Sequence, residues 1–252
     1  MNAVKSEFYK LKISKPFYIC LLVCAALVAF FGLSIQRGDV RAGGIDADNI
    51  SAVSLIEQTL DLPFLSFLFV VFVSLFVCSE FHNGTIKNYV SKGVNRVHIY
   101  LSKLIVCGAA VLTMYAAFAA LLGIMGTILW GFDPQGATVF SNMAVMIISE
   151  GLLMLAYSAV FVLVSMWTRN AAMSIAVNIC IISFLPTILR ASSFIFGGGI
   201  MLENYWISTH IAALASLTPE SGVVLQGVII GLCYLAVGTI AGSVLFKKID
   251  IK

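Results

Sequence analysis

The sequence predicts an all-α integral membrane protein with six transmembrane helices, and three observations carry that prediction. Of the 252 residues, 60% are hydrophobic and 11% are charged, whereas a soluble domain carries about 25% charged residues. Six apolar runs, at 17–35, 62–79, 104–130, 143–167, 172–189 and 223–246, each approach the roughly 20 residues that a helix needs to cross about 30 Å of hydrocarbon. None of them alternates apolar and polar residues as barrel strands do, and backbone groups in lipid need internal partners, so the spans are helical. The whole chain, 1–252, is read as a single transmembrane domain.

The stretch before the first span holds Val4, Phe8 and Leu11 on one helical face, with Lys10, Lys12 and Lys15 placed to snorkel. This predicts an amphipathic helix lying in the membrane interface. The first span follows a basic start but runs longer than a signal-peptide core and lacks a small-residue cleavage site, so it is read as a retained anchor.

Between spans two and three lies "SEFHNGTIKNYVSKGVNRVHIYLSKLI", polar and basic in otherwise apolar surroundings. Asn83 and Thr85 suit the N-cap of a short helix ending near Ser91. Gly93 is expected to break that helix and Asn95 to cap the next. The link between spans four and five is only a few residues long, at 168–171. The segment 191–222 between spans five and six is amphiphilic, with Tyr205 and Trp206 suited to an interface, and is expected to be partly helical.

With six spans both termini share one side. That side carries twelve of the fifteen Lys and Arg residues, leaving Arg37, Arg41 and Arg190 on the other. Basic residues collect on the cytoplasmic side, so both termini are expected in the cytoplasm. The net charge of +3 gives no reason to expect nucleic acid. The six cysteines fall in or at the ends of apolar runs and read as small hydrophobes rather than a disulfide framework.

Several residues inside the spans have polar chemistry. Glu150 lies in span four, about 11–14 Å from the outer end. An ionised acid at mid-membrane costs roughly 2.5–3.5 kcal/mol, so a shallow, solvated or structural place is favoured over contact with a cationic cargo or proton coupling. Asn178 in span five suits a helix–helix hydrogen bond, and Pro186 is expected to kink that span. Gly227, Gly231, Gly238 and Gly242 give span six two GxxxG patterns for close helix approach, expected to pack within the protomer.

An acid ending span two, then Gly-Thr, a short basic helix, Gly, and Arg before a Lys-led span resembles the ABC-2 type transporter permeases. Here the pattern is Glu80, Gly84-Thr85-Ile86-Lys87, Gly93, Arg96 and Ser102-Lys103. The likeness extends over the whole chain, and in length it is similar to the small permeases that export or protect against bacitracin, lantibiotics and other amphipathic peptides. The resemblance implies a type V ABC exporter-like fold, with a cytoplasmic coupling helix between spans two and three and extracytoplasmic helical segments between spans five and six. It implies that Glu80, Phe81, Gly84, Thr85, Lys87, Asn88, Lys92, Gly93 and Arg96 receive the motion of an ATPase, with Arg169 as a lesser contact. Glu150, Asn178 and Pro186 are candidates for the substrate path or for structure.

The implied partners are two copies of a separate ABC ATPase subunit, a second copy of this permease or a similar one, the lipid bilayer, and an amphipathic or hydrophobic substrate. ATP and Mg would sit on the ATPase, since no Gly-Lys dipeptide occurs here to build a phosphate loop. No catalytic, cofactor or metal residue is expected in this chain, and His82, His98 and His210 have no second ligand at a useful spacing. The implied location is the bacterial cytoplasmic membrane. An ion-coupled secondary transporter using Glu150 fits less well, because no internal repeat is evident. A membrane-embedded enzyme also fits poorly, because no His accompanies that acid.

Overall fold

A computed structural model describes residues 2–36, 52–60, 63–91, 93–131, 139–195, 202–214 and 221–248. Among these residues the chain forms ten α-helices and a short 3₁₀ turn, with no strand. Helix α1 (Asn2–Ile13) precedes the first span, α2 (Lys15–Gln36). Helix α3 (Ala52–Leu60) leads to the second span, α4 (Pro63–His82), and then to the short α5 (Thr85–Ser91). The remaining spans are α6 (Arg96–Trp130), α7 (Val139–Thr168), α8 (Ala171–Ile195) and α10 (Ser221–Lys248). The 3₁₀ turn Leu202–Tyr205 and α9 (Ile207–Leu214) stand between the last two. Among the described residues, six helices are long and apolar enough to cross a membrane.

All six expected spans are present, and several run further than the apolar residues alone indicate. Span three begins at Arg96 rather than 104, because Asn95 accepts a hydrogen bond from the Val97 N–H at 3.0 Å and caps the helix there. Span four begins at Val139 and span five continues to Ile195. Helix α3 went unforeseen. Nine residues are too few for a periodic signal, and α3 is held by tertiary contact along α6. Gly126 makes that contact possible, since a Cβ there would come within 2.7 Å of the Ala52 Cα.

Helices α4, α6 and α7 form the centre, with α2 against α6 and α4, α8 against α4 and α7, and α10 against α7 and α6. Interior side chains include Phe69, Phe72, Phe118 and Phe161, all fully buried. By alternation of direction, α1, α5, the α7–α8 turn and the end of α10 share one end of the bundle. Helix α3, the 3₁₀ turn and α9 share the other.

The glycine stripe of α10 packs inside the protomer. Gly231 and Gly238 face Leu152 and Ala159 of α7, Gly242 faces the Tyr100 ring of α6, and Gly227 faces Leu214 of α9. The Tyr100 hydroxyl donates to the Gly238 carbonyl at 2.8 Å, a bond that the missing side chains leave room to form.

Candidate functional site

At the end of the bundle that holds α1 and α5, four charged side chains from three helices converge. Lys10 donates to Glu7 at 2.7 Å and to Glu80 at 3.1 Å. Lys103, near the start of α6, forms ion pairs with both Glu7 and Glu80. Two carboxylates and two ammonium groups thus cancel in charge. Lys103 is only 1% exposed and Glu7 2%, so this is an interior cluster rather than a surface one. The Lys103 ammonium also lies 4.8 Å from the centroid of the Phe76 ring, over its negative face.

Burial alone would raise the Glu7 carboxyl, but the adjoining Lys103 and Lys10 outweigh it and hold the group below its ordinary value. Burial would likewise lower the Lys10 ammonium, yet its bonds to Glu7 and Glu80 raise it. Glu7 and Lys10 are therefore favoured in their charged forms by their neighbours.

One expectation is corrected here. Lys10 does not snorkel but turns inward, because Glu7 and Glu80 offer it carboxylates. The buried stripe of α1 runs through Glu7 and Leu11, while Phe8 is 41% exposed. The residue missed in the sequence is Glu7. It is the only acid before Asp39, and it stands one helical turn from the buried Leu11.

Helix α5 is built onto this cluster. Gly84 takes φ +67, a left-handed conformation that ends α4 and lets α5 begin at once. Thr85 does not act as a cap: its hydroxyl donates back to the Glu80 carbonyl at 3.1 Å, tying the start of α5 to the end of α4. Ile86 is buried beneath the helix. The Tyr89 hydroxyl lies 3.1 Å from the Ser6 hydroxyl, and Lys10 sits 4.8 Å from the Tyr89 ring centroid, so α5 also rests on α1. Gly93, at φ +77, closes the turn before Asn95.

Of the residues expected to receive an ATPase, Asn88 is exposed on α5, while Phe81, Gly84 and Thr85 are half-buried. Glu80 is buried within the ion cluster, so its carboxylate is not part of an outer surface. Arg96 starts α6, and its guanidinium donates to the Lys247 carbonyl of α10 at 3.5 Å. Arg169 forms the α7–α8 turn in a left-handed conformation (φ 55), and the neighbouring Asn170 side chain caps α8 by accepting from the Ala172 N–H at 3.0 Å. Lys87 belongs to α5, but its side chain lies outside the described residues, as does the whole of Lys92.

Within the spans, Glu150 is fully buried and accepts a hydrogen bond from the Tyr115 hydroxyl at 2.7 Å, joining α7 to α6. A solvated place is thereby corrected, since the bundle encloses the carboxyl. Asn178 is buried and donates to Ser174 at 3.3 Å, and Ser174 in turn bonds Ser165 at 2.7 Å and Ser74 at 2.9 Å. Ser174 is the residue that joins spans two, four and five, whereas the Asn178 bond stays within α8 and is not the helix–helix bond expected of it. Pro186 lies inside α8, which continues past it. No group of three or more metal-binding side chains occurs among the described residues.

Residues 3–185 match the family model of the ABC-2 family transporter protein. The chain belongs to the ABC-2 transporter family. Membership makes it a multi-pass membrane component of an ABC transporter, whose ATPase is the implied partner. The match takes in α1, the ion cluster, α5 and the first four spans. It also reaches nearly to Pro186 of the fifth span. No curated protein matches this ABC-2 chain.

Proposed function

We propose that this chain is the permease subunit of an ATP-driven exporter, with α5 as the helix that receives force from a separate ATPase. The observation that carries the reading is the setting of α5. It presents Asn88 and Ser91 outward, while Tyr89 joins it to α1 and the Glu80 segment joins it to α4 and α6. A push on α5 is thereby shared among three helices. The ion cluster makes that end of the bundle move as one piece, because separating any pair would strand a buried charge.

In this reading two permease copies enclose a path and bind two ATPase chains, which hold ATP and Mg. The excess of basic residues at the α5 end supports a cytoplasmic location for it, and a bacterial cytoplasmic membrane follows from the family likeness. The cargo is an amphipathic or hydrophobic molecule. Antimicrobial peptides are the class favoured by the likeness, whether exported from the cytoplasm or removed from the membrane for self-protection.

The test is co-purification in detergent from the native membrane, comparing wild type with Asn88→Trp. The expected outcome is an ATP-hydrolysing subunit that accompanies wild type and falls roughly tenfold in yield in the variant, the effect of about 1.4 kcal/mol at a contact. An ATPase that binds both proteins equally would remove α5 from the contact. Absence of any ATPase from the wild-type preparation would remove the exporter.

A further inference from the structure

With Glu7, Lys10 and Leu11 of α1 committed to the bundle, a different face of that helix is left outside. Lys5, Phe8, Tyr9, Lys12 and Ile13 are all exposed, and they stand at i, i+3, i+4, i+7 and i+8, the spacing of one helical face. Tyr9 is 67% exposed and Ile13 60%, so the apolar part of this face meets no other helix of the chain. At a rise of 1.5 Å per residue, the Cα atoms of Lys5 and Lys12 are roughly 10.5 Å apart, with the two aromatic rings between them. Lys15, at the start of α2, is exposed beyond them.

Two observations indicate what covers this face. The first is charge. Glu7 and Glu80 are buried and already matched by Lys10 and Lys103. Among the described residues no acid pairs with Lys5, Lys12 or Lys15, so three cations beside an apolar strip stay uncompensated. An occupant that complements them carries both negative charge and hydrocarbon. The second is continuity with the first span. The Tyr18 hydroxyl donates to the Lys12 carbonyl at 2.9 Å, and Tyr18, Ile19 and Leu22 of α2 are exposed in turn. The outer face of α1 therefore runs into the outer face of a membrane-spanning helix, where lipid lies alongside.

We infer that the Lys5–Lys12 face of α1 is a binding surface for anionic phospholipid. Phe8, Tyr9 and Ile13 sink into the boundary between headgroups and acyl chains, and the lysines pair with the headgroup phosphates. This face differs from the one that groups Phe8 with Leu11, because the ion cluster turns Leu11 inward. Lipid bound here holds α1, and α1 in turn holds α6 through Glu7 with Lys103 and α4 through Lys10 with Glu80. The charge of the bilayer thereby bears on the same end of the bundle as α5. The surface stands whether or not the chain is an exporter.

The full chain, purified in detergent and stripped of lipid, is titrated with phosphatidylglycerol or with phosphatidylcholine of the same acyl chains, and bound lipid is counted by native mass spectrometry. Wild type is expected to prefer phosphatidylglycerol. Lys5→Gln with Lys12→Gln should cut that preference by roughly fivefold or more, fivefold being the worth of one lysine near a charged surface. Lys5→Arg with Lys12→Arg should retain it. Lys247→Gln with Lys248→Gln removes the same charge from the end of α10 and should leave the preference unchanged. Tyr9→Gln with Ile13→Gln should weaken the binding of both lipids and keep their ratio. The α1 side chains replaced are all exposed, so the fold does not depend on them.

Equal affinity of wild type for the two lipids would overturn the proposal. An equal loss of preference in the α1 and α10 glutamine variants would do the same, since total charge would then explain it. Indifference of both lipids to Tyr9→Gln with Ile13→Gln would remove the apolar strip and with it the surface. Lipid-free dimers of wild type that come apart in Lys5→Gln with Lys12→Gln would give this face to a second copy of the chain instead.

Discussion

At the scale of single residues, the Glu7–Lys10–Glu80–Lys103 cluster dominates the chemistry of the α5 end. A buried ion pair is weakly stabilising overall, but removing one member leaves an uncompensated charge and costs about 3–5 kcal/mol. Glu7→Gln is therefore expected to destabilise the purified protein by about 3 kcal/mol, measured by denaturant or thermal unfolding in detergent. Adding Lys103→Gln should recover part of that loss, so that the double variant is more stable than the two single effects predict. Strict additivity would mean that the two side chains act independently. The cluster also sets a pH dependence. The folded Glu7 carboxyl lies below its ordinary 4.5, so its contribution is complete above that value and disappears as pH falls through the folded value. Lys10 is raised, so its contribution is complete below its ordinary 10.5 and is lost only in strong alkali. Wild type is therefore expected to lose thermal stability between pH 6 and about pH 3 more steeply than Glu7→Gln. Equal slopes would dismiss Glu7 as the titrating group.

At the scale of elements, the close packing of α10 rests on glycines that leave room for neighbouring side chains. Gly242→Ala would place a methyl on the Tyr100 ring, which is itself fixed by its bond to the Gly238 carbonyl. Neither the ring nor the backbone behind it can yield cheaply, so a loss of about 1–3 kcal/mol is expected. Tyr100→Phe should cost less, about 1 kcal/mol, because it removes one hydrogen bond and keeps the ring. Thermal unfolding of the two variants in one detergent checks the order, and a harmless Gly242→Ala would show that α10 stands away from α6. These elements also separate what is readable in a sequence from what is not. The six spans, the short helix α5 and the Asn95 cap are written in local composition. Helix α3 is not, because nine residues are too short to signal a helix and its stability comes from Gly126 and Ala52 meeting across the bundle. The Thr85 cap failed for a related reason: Gly84 turns the chain so sharply that the hydroxyl meets the carbonyl of Glu80 before any N–H of α5.

At the scale of the whole molecule, the charge asymmetry makes a definite prediction about orientation. Ser91→Cys lies on α5 and Tyr205→Cys on the 3₁₀ turn at the opposite end, and both positions are exposed. A membrane-impermeant maleimide applied to intact cells should label Tyr205→Cys at once, and Ser91→Cys only after the membrane is opened. The reverse pattern would invert the topology and place α5 out of reach of any cytoplasmic ATPase. The same architecture sets the ion cluster and α5 at one end of the bundle and α9 at the other. Helices α4, α6 and α7 run the length between the two ends.

The membrane class, the six spans and the polar segment that marks α5 are legible in the amino-acid order alone. These follow from hydropathy, charge and turn chemistry, which accumulate along the chain and need no knowledge of its neighbours. Which polar groups meet is a property of the folded bundle. Glu7 and Lys103 are 96 residues apart and Lys10 and Glu80 are 70. A pairing at that separation depends on how α1 lies across α4 and α6, and no local pattern encodes it. The enclosure of Glu150 by Tyr115 has the same origin, since it is a property of the space between helices rather than of any one helix.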